Sequence, residues 1–154
     1  MATPVPIEFL RKVGLFTGLT DAELIEIAKL CQRHSHEAGE LCLVQGEQTD
    51  HVHFVEKGMV AVELHMPYTP REKGITVVTL GPGEVFAWSA LVTGIMSASV
   101  RAVKPSGILD VRGAELLALC EKNNHIGYII MKSLSSVISS RLTNSQLALL
   151  NAVS

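Results

Sequence analysis

The sequence predicts an α+β fold, mainly β, in which an antiparallel β domain is flanked by helices at both ends. Three observations support this. Short segments rich in β-branched residues recur about every eight to twelve residues through the middle of the chain, which is typical of an antiparallel sandwich or barrel. Glycines stand where the strands must reverse, and glycine tolerates positive φ: Gly39, Gly46, Gly58, Gly81 and Gly83. Apolar residues recur at helical spacing before and after this region.

Composition indicates one folded domain, spanning residues 1–154. The chain has 154 residues, of which 47% are hydrophobic, and its mean hydropathy of +0.31 excludes a disordered chain. The net charge is −2, and the lysines and arginines are scattered. No basic stripe of the kind that neutralises DNA phosphates is present, so we expect no direct DNA binding.

The cysteines and the apolar runs predict a cytoplasmic protein that does not enter a membrane. Cys31, Cys42 and Cys120 are odd in number and widely spaced, which is typical of reduced thiols rather than of a disulfide framework. The N-terminus lacks the pattern of a signal peptide. No apolar run reaches the ~20 residues that a membrane-spanning helix needs.

Helices are predicted in two regions, 7–31 and 113–150. Thr20 and Glu23 form a capping box in front of a helix that runs to about Cys31. A shorter helical stretch precedes it at 7–13. Near the other end, a helix over 113–122 is interrupted at Asn123 and followed by one long helix from Ile126.

The intervening region, 32–112, is predicted to hold the strands. A surface hairpin loop is expected at 67–73, which is polar and contains proline. The predicted strands are 32–37, 41–44, 51–56, 59–65, 75–80, 85–86, 97–103 and 107–111.

The stretch from Leu80 to Val103 has the features of an anion pocket. A turn at 81–84 leads through a short strand into one or two helical turns between Ala87 and Thr93. The first N–H groups of a helix lack intrahelical partners and carry its positive end, and small side chains here would let a phosphate approach. A buried loop between two strands would give the same pattern, so both interpretations remain open.

This stretch resembles the phosphate-binding cassette of the cyclic nucleotide-binding domain family, the sensor domain of catabolite-activator-type regulators and of cyclic-nucleotide-gated kinases and channels. The cassette reads roughly Phe-Gly-Glu-hydrophobic-Ala-Leu, a variable loop, then Arg-Ser/Thr/Ala-Ala. The matching residues are Phe86, Ala90, Leu91, Ser97 and Ala98. The phrase FLRKVGLFTGLTDAELIEIA also resembles the family's helical lead-in. The likeness, from about Phe9 to Leu150, implies a β-roll, a double-stranded β-helix of jelly-roll type.

The cassette, 81–102, departs from the family at its two charged positions. The family's glutamate, which grips the ribose, falls on Trp88, and its phosphate-pairing arginine falls on Met96. The resemblance therefore implies a sensor or regulatory domain that binds cAMP or cGMP weakly, or binds a different small ligand. The residues that it places around the ligand are Phe86, Ala87, Trp88, Ser89, Ala90, Met96, Ser97 and Ala98, with Asn144 and Ser145 near the purine.

Two alternatives remain open beside a small-ligand sensor. Trp88 and Met96 could plug the pocket, which would leave a ligand-free dimerisation or protein-interaction module. A haem-based sensor is the other, with His65 and Cys42 as candidate ligands by residue type alone. The sequence contains no convincing catalytic set, so we expect a binding module rather than an enzyme.

Two His-x-His pairs, His34 with His36 and His51 with His53, stand on predicted strands. Residues two apart on a strand share a face, so each pair could chelate a metal, and four imidazoles could converge if the strands were neighbours. No further ligand with recognisable spacing accompanies them. We therefore expect polar histidines on the solvent face of the roll, and no metal.

The long helix predicts a homodimer. Ile126, Ile130, Leu134 and Val137 form a stripe at spacings of three and four, as at a two-helix seam, while Lys132 and Arg141 are expected on the hydrated flanks. In the family this helix packs two subunits together and covers the ligand. The sequence ends after it without a recognition helix, so the resemblance implies a sensor domain without the helix-turn-helix DNA-binding domain.

Overall fold

The computed structural model describes residues 5–66 and 74–153. Its N-terminal part contains helix α1 (Ile7–Leu10), a 3-10 helix (Gly14–Phe16) and helix α2 (Asp21–Ala28). The predicted capping box is confirmed: the Glu23 N–H donates to the Thr20 hydroxyl over 3.2 Å, and the Thr20 N–H donates to the Glu23 carboxylate over 2.8 Å. Helix α2 ends three residues before the expected Cys31.

In the part of the chain that the structure describes, eight strands form two antiparallel sheets of four strands each, which confirms the predicted mainly β fold class. The strands are β1 (Gln32–His36), β2 (Leu41–Leu43), β3 (His51–Lys57), β4 (Val60–Leu64), β5 (Ile75–Leu80), β6 (Val85–Phe86), β7 (Ser99–Ala102) and β8 (Ser106–Arg112). The first sheet has the order β1-β8-β3-β6 and the second β2-β7-β4-β5. The hairpin loop expected at 67–73 lies outside the described residues.

Strand alternation divides the core into two layers. One layer fills the space between the sheets, with Val55, Phe86 and Ile108 from the first sheet and Val60, Leu80 and Val100 from the second. The opposite face of the first sheet, with Val52, Phe54, Leu109 and Val111, packs against the helices. The first sheet is therefore covered on both faces.

Helix α3 (Gly113–Lys122) and the 30-residue helix α4 (Asn124–Val153) complete the fold. They are separated at Asn123, whose backbone is extended (φ −129°, ψ 105°). No helix within the described residues combines the length and the apolar character needed to cross a membrane.

The prediction that the stripe from Ile126 to Val137 forms a dimer seam is wrong. Ile126, Ile130 and Leu134 are at most 4% exposed and pack in the helical layer of this chain's own core, with Val137 against it. A stripe at spacings of three and four shows that a helix buries one face, but not what covers that face. Here the cover is the chain's own roll and N-terminal helices.

Candidate ligand pocket

The cassette turns sharply between β6 and a 3-10 helix (Trp88–Leu91) because Ala87 adopts the left-handed conformation (φ 56°, ψ 29°). This is where the cassette pattern has glycine, and a residue with a Cβ costs roughly 1–2 kcal/mol in that region. The 3-10 helix replaces the one or two helical turns expected over 87–93. Four residues align too few peptide units to give the macrodipole that the sequence predicts for an anion.

A cavity of about 310 Å³ lies between this cassette, the second sheet and α4. Eight of the ten residues predicted around a ligand line it. The lining residues are Val62, Leu64, Val77, Phe86, Ala87, Trp88, Ser89, Met96, Ser97, Ala98, Val100, Arg141 and Ser145. The two exceptions are Asn144 and Ala90, the latter packed on the helical side of the first sheet.

Met96 and Trp88 replace the two charged residues of the cassette pattern and form an apolar part of the cavity wall. Met96 is 5% exposed and packs between the sheets, with its sulfur 4.0 Å from the Ser89 hydroxyl. Trp88 is half-buried and also packs toward the helical layer. The cavity remains between them, so these two side chains narrow the space without filling it.

The backbone donors predicted for an anion are only partly available. The Ala90 N–H donates to the Ala87 carbonyl over 3.2 Å and is therefore occupied within the turn. Ser97 of the cassette and Ser145 of α4 also line the cavity. They supply polar groups that could accept or donate hydrogen bonds.

Arg141 on α4 is the charged residue among the described residues that line this cavity. Its Nη2 donates to the Val85 carbonyl over 2.9 Å, so the guanidinium lies against β6 and not on the hydrated flank where the sequence analysis places it. Burial lowers the pKa of Arg141, and the nearby Glu84 opposes this. The helical period could have located this residue, since Arg141 follows the buried Leu134 by two turns.

The four histidines of the two His-x-His pairs also lie elsewhere than expected. Strands β1 and β3 are not neighbours, because β8 runs between them and pairs with both. On β8, Asp110 stands directly opposite His53 of β3 and diagonally from His34 of β1. His53 is in turn opposite Phe86 of β6. The histidines therefore share the face that points between the sheets, not the solvent face.

We call His34, His53 and Asp110, flanked by His36 and His51, the histidine cluster. The His34 Nδ1 lies 2.7 Å from a carboxylate oxygen of Asp110, whose side chain is buried. The His34 ring contacts the His36 and His53 rings edge-on, at centroid distances of 5.1 and 5.5 Å. Burial, with the neighbouring imidazoles, lowers the pKa of His53 to about 3.

Within the described residues, the cavity beside His65 is too small for haem and does not reach Cys42, the other candidate haem ligand. His65 lines a space of about 80 Å³, the volume of roughly three waters. Cys42 is not part of that lining, and burial raises the pKa of its thiol to about 11.

Sequence comparison agrees with this architecture. The family profile described as "Cyclic nucleotide-binding domain" matches residues 33–123, which include strands β2 to β8 and the cassette. The chain belongs to the cyclic nucleotide-binding domain family. The resemblance to this family that the sequence analysis describes is confirmed.

The curated relatives are longer proteins. The chain is 33% identical over 116 residues to a candidate potassium channel protein of Rhodopseudomonas palustris, covering 75% of this chain and 27% of the relative. It is 31% identical over 114 residues to the cAMP-dependent protein kinase type II regulatory subunit of Drosophila melanogaster, covering 71% and 29%. Glutaminase 2 of Bradyrhizobium diazoefficiens matches at 26% over 141 residues, covering 90% and 22%. The chain thus spans less than a third of the length of each of these relatives.

Solved structures share the fold over nearly the whole chain. A candidate cyclic nucleotide-binding protein from Geobacter metallireducens superposes with a TM-score of 0.74 at 27% identity, covering 92% of this chain and 99% of that one. The catabolite activator protein of Thermus thermophilus gives 0.73 at 26%, covering 91% and 63%. The chain is therefore a domain of the regulatory, cyclic nucleotide-binding type.

Proposed function

We propose that this domain is a sensor for a small anionic ligand, in which Arg141 supplies the cation that the cassette lacks at Met96. The ligand is a phosphate-bearing compound, either a cyclic nucleotide bound more weakly than by a complete cassette or another molecule of similar size. The observation that carries the proposal is the position of Arg141 in the wall of the cassette cavity.

The size and lining of the cavity support a small-ligand site. Its volume of about 310 Å³ lies at the lower end of the ~300–1,000 Å³ range of ligand pockets. Its walls are mainly apolar, and a few polar groups converge on it, as such pockets generally require. Ser97 and Ser145 are the hydroxyls that would orient the ligand.

A single cation in this setting has a large effect because it is partly removed from water. A hydrogen bond to a charged group is worth about 1.5–3 kcal/mol, which corresponds to roughly tenfold to a hundredfold in affinity. Arg141 already donates one hydrogen bond to Val85, and its remaining nitrogens make no hydrogen bond or ion pair to the residues that the structure describes. Those nitrogens are the donors for an anion.

A thermal-shift panel tests the proposal against the plugged-pocket and haem alternatives. Purified protein is heated with cAMP, cGMP, AMP, inorganic phosphate or haemin. A ligand at 100 times its dissociation constant adds about 2.7 kcal/mol, or roughly 5–11 °C for a domain of this size. We expect such a shift with at least one nucleotide and none with haemin. Absence of any nucleotide shift would support a ligand-free interaction module, and a Soret band after haemin treatment would support a haem sensor.

We further propose that the domain forms a homodimer through the outer face of α4, not through the stripe buried in its own core. Tyr128, Leu142 and Leu149 stand at multiples of seven residues, with the polar Ser135 at the position between the first two, and are exposed, the first two by 62% and 58%. A seven-residue apolar repeat on a helix is typical of a two-helix seam. A second copy offers the same repeat, so one two-fold pairing would cover both faces.

Light scattering tests this assembly. We expect a dimer at tens of micromolar for the unchanged protein, and a monomer with an unaltered circular dichroism spectrum for the double variant Leu142→Glu, Leu149→Glu. Like charges facing each other in a seam destabilise it. A monomeric unchanged protein would contradict the proposal.

A further inference from the structure

The histidine cluster brings three metal-type donor atoms together, one from each His-x-His pair and the third from Asp110. One ligand atom each from His34, His53 and Asp110 lies within 4.8 Å of the other two. Ligands around a tetrahedral Zn²⁺ stand roughly 3.3 Å apart, given bond lengths near 2.0–2.1 Å. Changes of about 1.5 Å or less in the distances between these donor atoms would therefore let all three bind one ion.

The flanking histidines are oriented as metal ligands commonly are. The Nδ1 of His51 lies 2.6 Å from an Asp50 oxygen, which leaves its Nε2 directed at Asp110, 3.8 Å away. The Nδ1 of His36 contacts the Glu40 carboxylate. Histidines that bind metals usually have their second nitrogen held by a carboxylate or carbonyl, which fixes the ring and its tautomer.

The contacts within the cluster leave one of its donor groups unused. Buried Asp110 needs polar partners, which His34 supplies at 2.7 Å and His51 at 3.8 Å. His53 is partly buried and contacts the rings of His34 and Phe86, but its ring nitrogens make no hydrogen bond to the described residues. Its free ring nitrogen is therefore available as a ligand.

We propose that the histidine cluster is a binding site for a divalent transition metal of the zinc class, with His34, His53 and Asp110 as ligands and His51 completing a set of four. Imidazole with carboxylate suits Zn²⁺, Co²⁺ or Ni²⁺, whereas Mg²⁺ and Ca²⁺ prefer oxygen ligands alone. His34 and His51 are each about one-third exposed and provide an entry path. Because His53 stacks on Phe86 at 5.2 Å, the ion would lie one side chain from the ligand cavity.

Calorimetric titration of chelator-treated protein with Zn²⁺ tests the site, and the visible absorption of Co²⁺ reports its geometry. We expect one equivalent to bind, no response to Mg²⁺, and the intense visible bands of four-coordinate Co²⁺. Asp110→Asn and His53→Leu should each lower Zn²⁺ affinity at least about tenfold to a hundredfold. His65→Gln is the matched control, since His65 also faces a carboxylate, Glu63, but lies outside the cluster.

Circular dichroism and urea unfolding of the metal-free variants show whether each one folds. If a buried substitution prevents folding, His34→Gln, at a side chain about one-third exposed, decides in its place. Absence of Zn²⁺ binding by the unchanged protein overturns the proposal. Equal affinity in the cluster variants and the control, or an octahedral Co²⁺ spectrum that persists in the variants, also overturns it.

Discussion

Replacing Leu134 with alanine distinguishes a core residue from a dimer-seam residue. Leu134 is 4% exposed and packs in the helical layer of the core. Leu→Ala changes in cores cost roughly 2–5 kcal/mol, because the lost transfer free energy is joined by a cavity term. If the free energy of unfolding falls by about 3 kcal/mol, the melting temperature should fall by roughly 6–12 °C. The urea midpoint should fall by about 1.5 M, for a dependence of that free energy on urea concentration near 2 kcal/mol/M.

Thermal and urea unfolding at two protein concentrations, roughly 5 and 200 µM, would measure this effect. The loss should be the same at both, because the cavity is internal to one chain. Leu147→Ala is the control: it lies on the same helix but outside the proposed seam, is 55% exposed, and should change stability by no more than about 0.5 kcal/mol. The reasoning fails if Leu134→Ala leaves the dilute protein unchanged and only dissociates a dimer.

Two further predictions concern the backbone and pH. Gly58→Ala should lower the free energy of unfolding in urea by about 2–4 kcal/mol, because φ is +94° and a Cβ would lie 2.6 Å from the Pro105 carbonyl oxygen. Gly39→Ala is the control: φ is +85° but no atom lies within 4 Å, so the loss should be only about 1 kcal/mol. Equal losses in the two variants would contradict the steric clash at Gly58. Burial opposes ionisation of Glu23, but hydrogen bonds from Thr20 and His125 hold its pKa below its ordinary 4.5. Below that pH the unfolded state therefore binds more protons than the folded state, and the stability of the unchanged protein falls as the pH falls. Glu23→Gln lacks this carboxyl group, so acid unfolding curves should show a less steep fall in the variant.

The local parts of the fold could be predicted because their causes are local. The Thr20–Glu23 capping box needs only four consecutive residues to form. The glycine turns at Gly39, Gly46, Gly58 and Gly83 all have positive φ, which follows from the residue type. Likewise, alternation in β3 correctly separates Val52 and Phe54 from His51 and His53.

The site residues that escaped prediction depend on long-range contacts. Asp110 joins the histidines only because β8 inserts between β1 and β3, a strand order that no local pattern specifies. The stripe from Ile126 to Val137 reveals a buried face but not its cover. Arg141 stands on the continuation of that face, where its charge suggests solvent, yet its guanidinium reaches the Val85 carbonyl at the cavity.

Calorimetric titration of three proteins with cAMP and cGMP tests most directly the claim that Arg141 is the anion-binding group of this pocket. We expect Arg141→Gln to weaken the nucleotide affinity of the unchanged protein roughly tenfold to a hundredfold. Lys132→Gln removes an exposed cation from the same helix, beside Tyr128, and should change nothing. Equal affinity in Arg141→Gln and the unchanged protein, or a nanomolar affinity that survives the substitution, would contradict the claim.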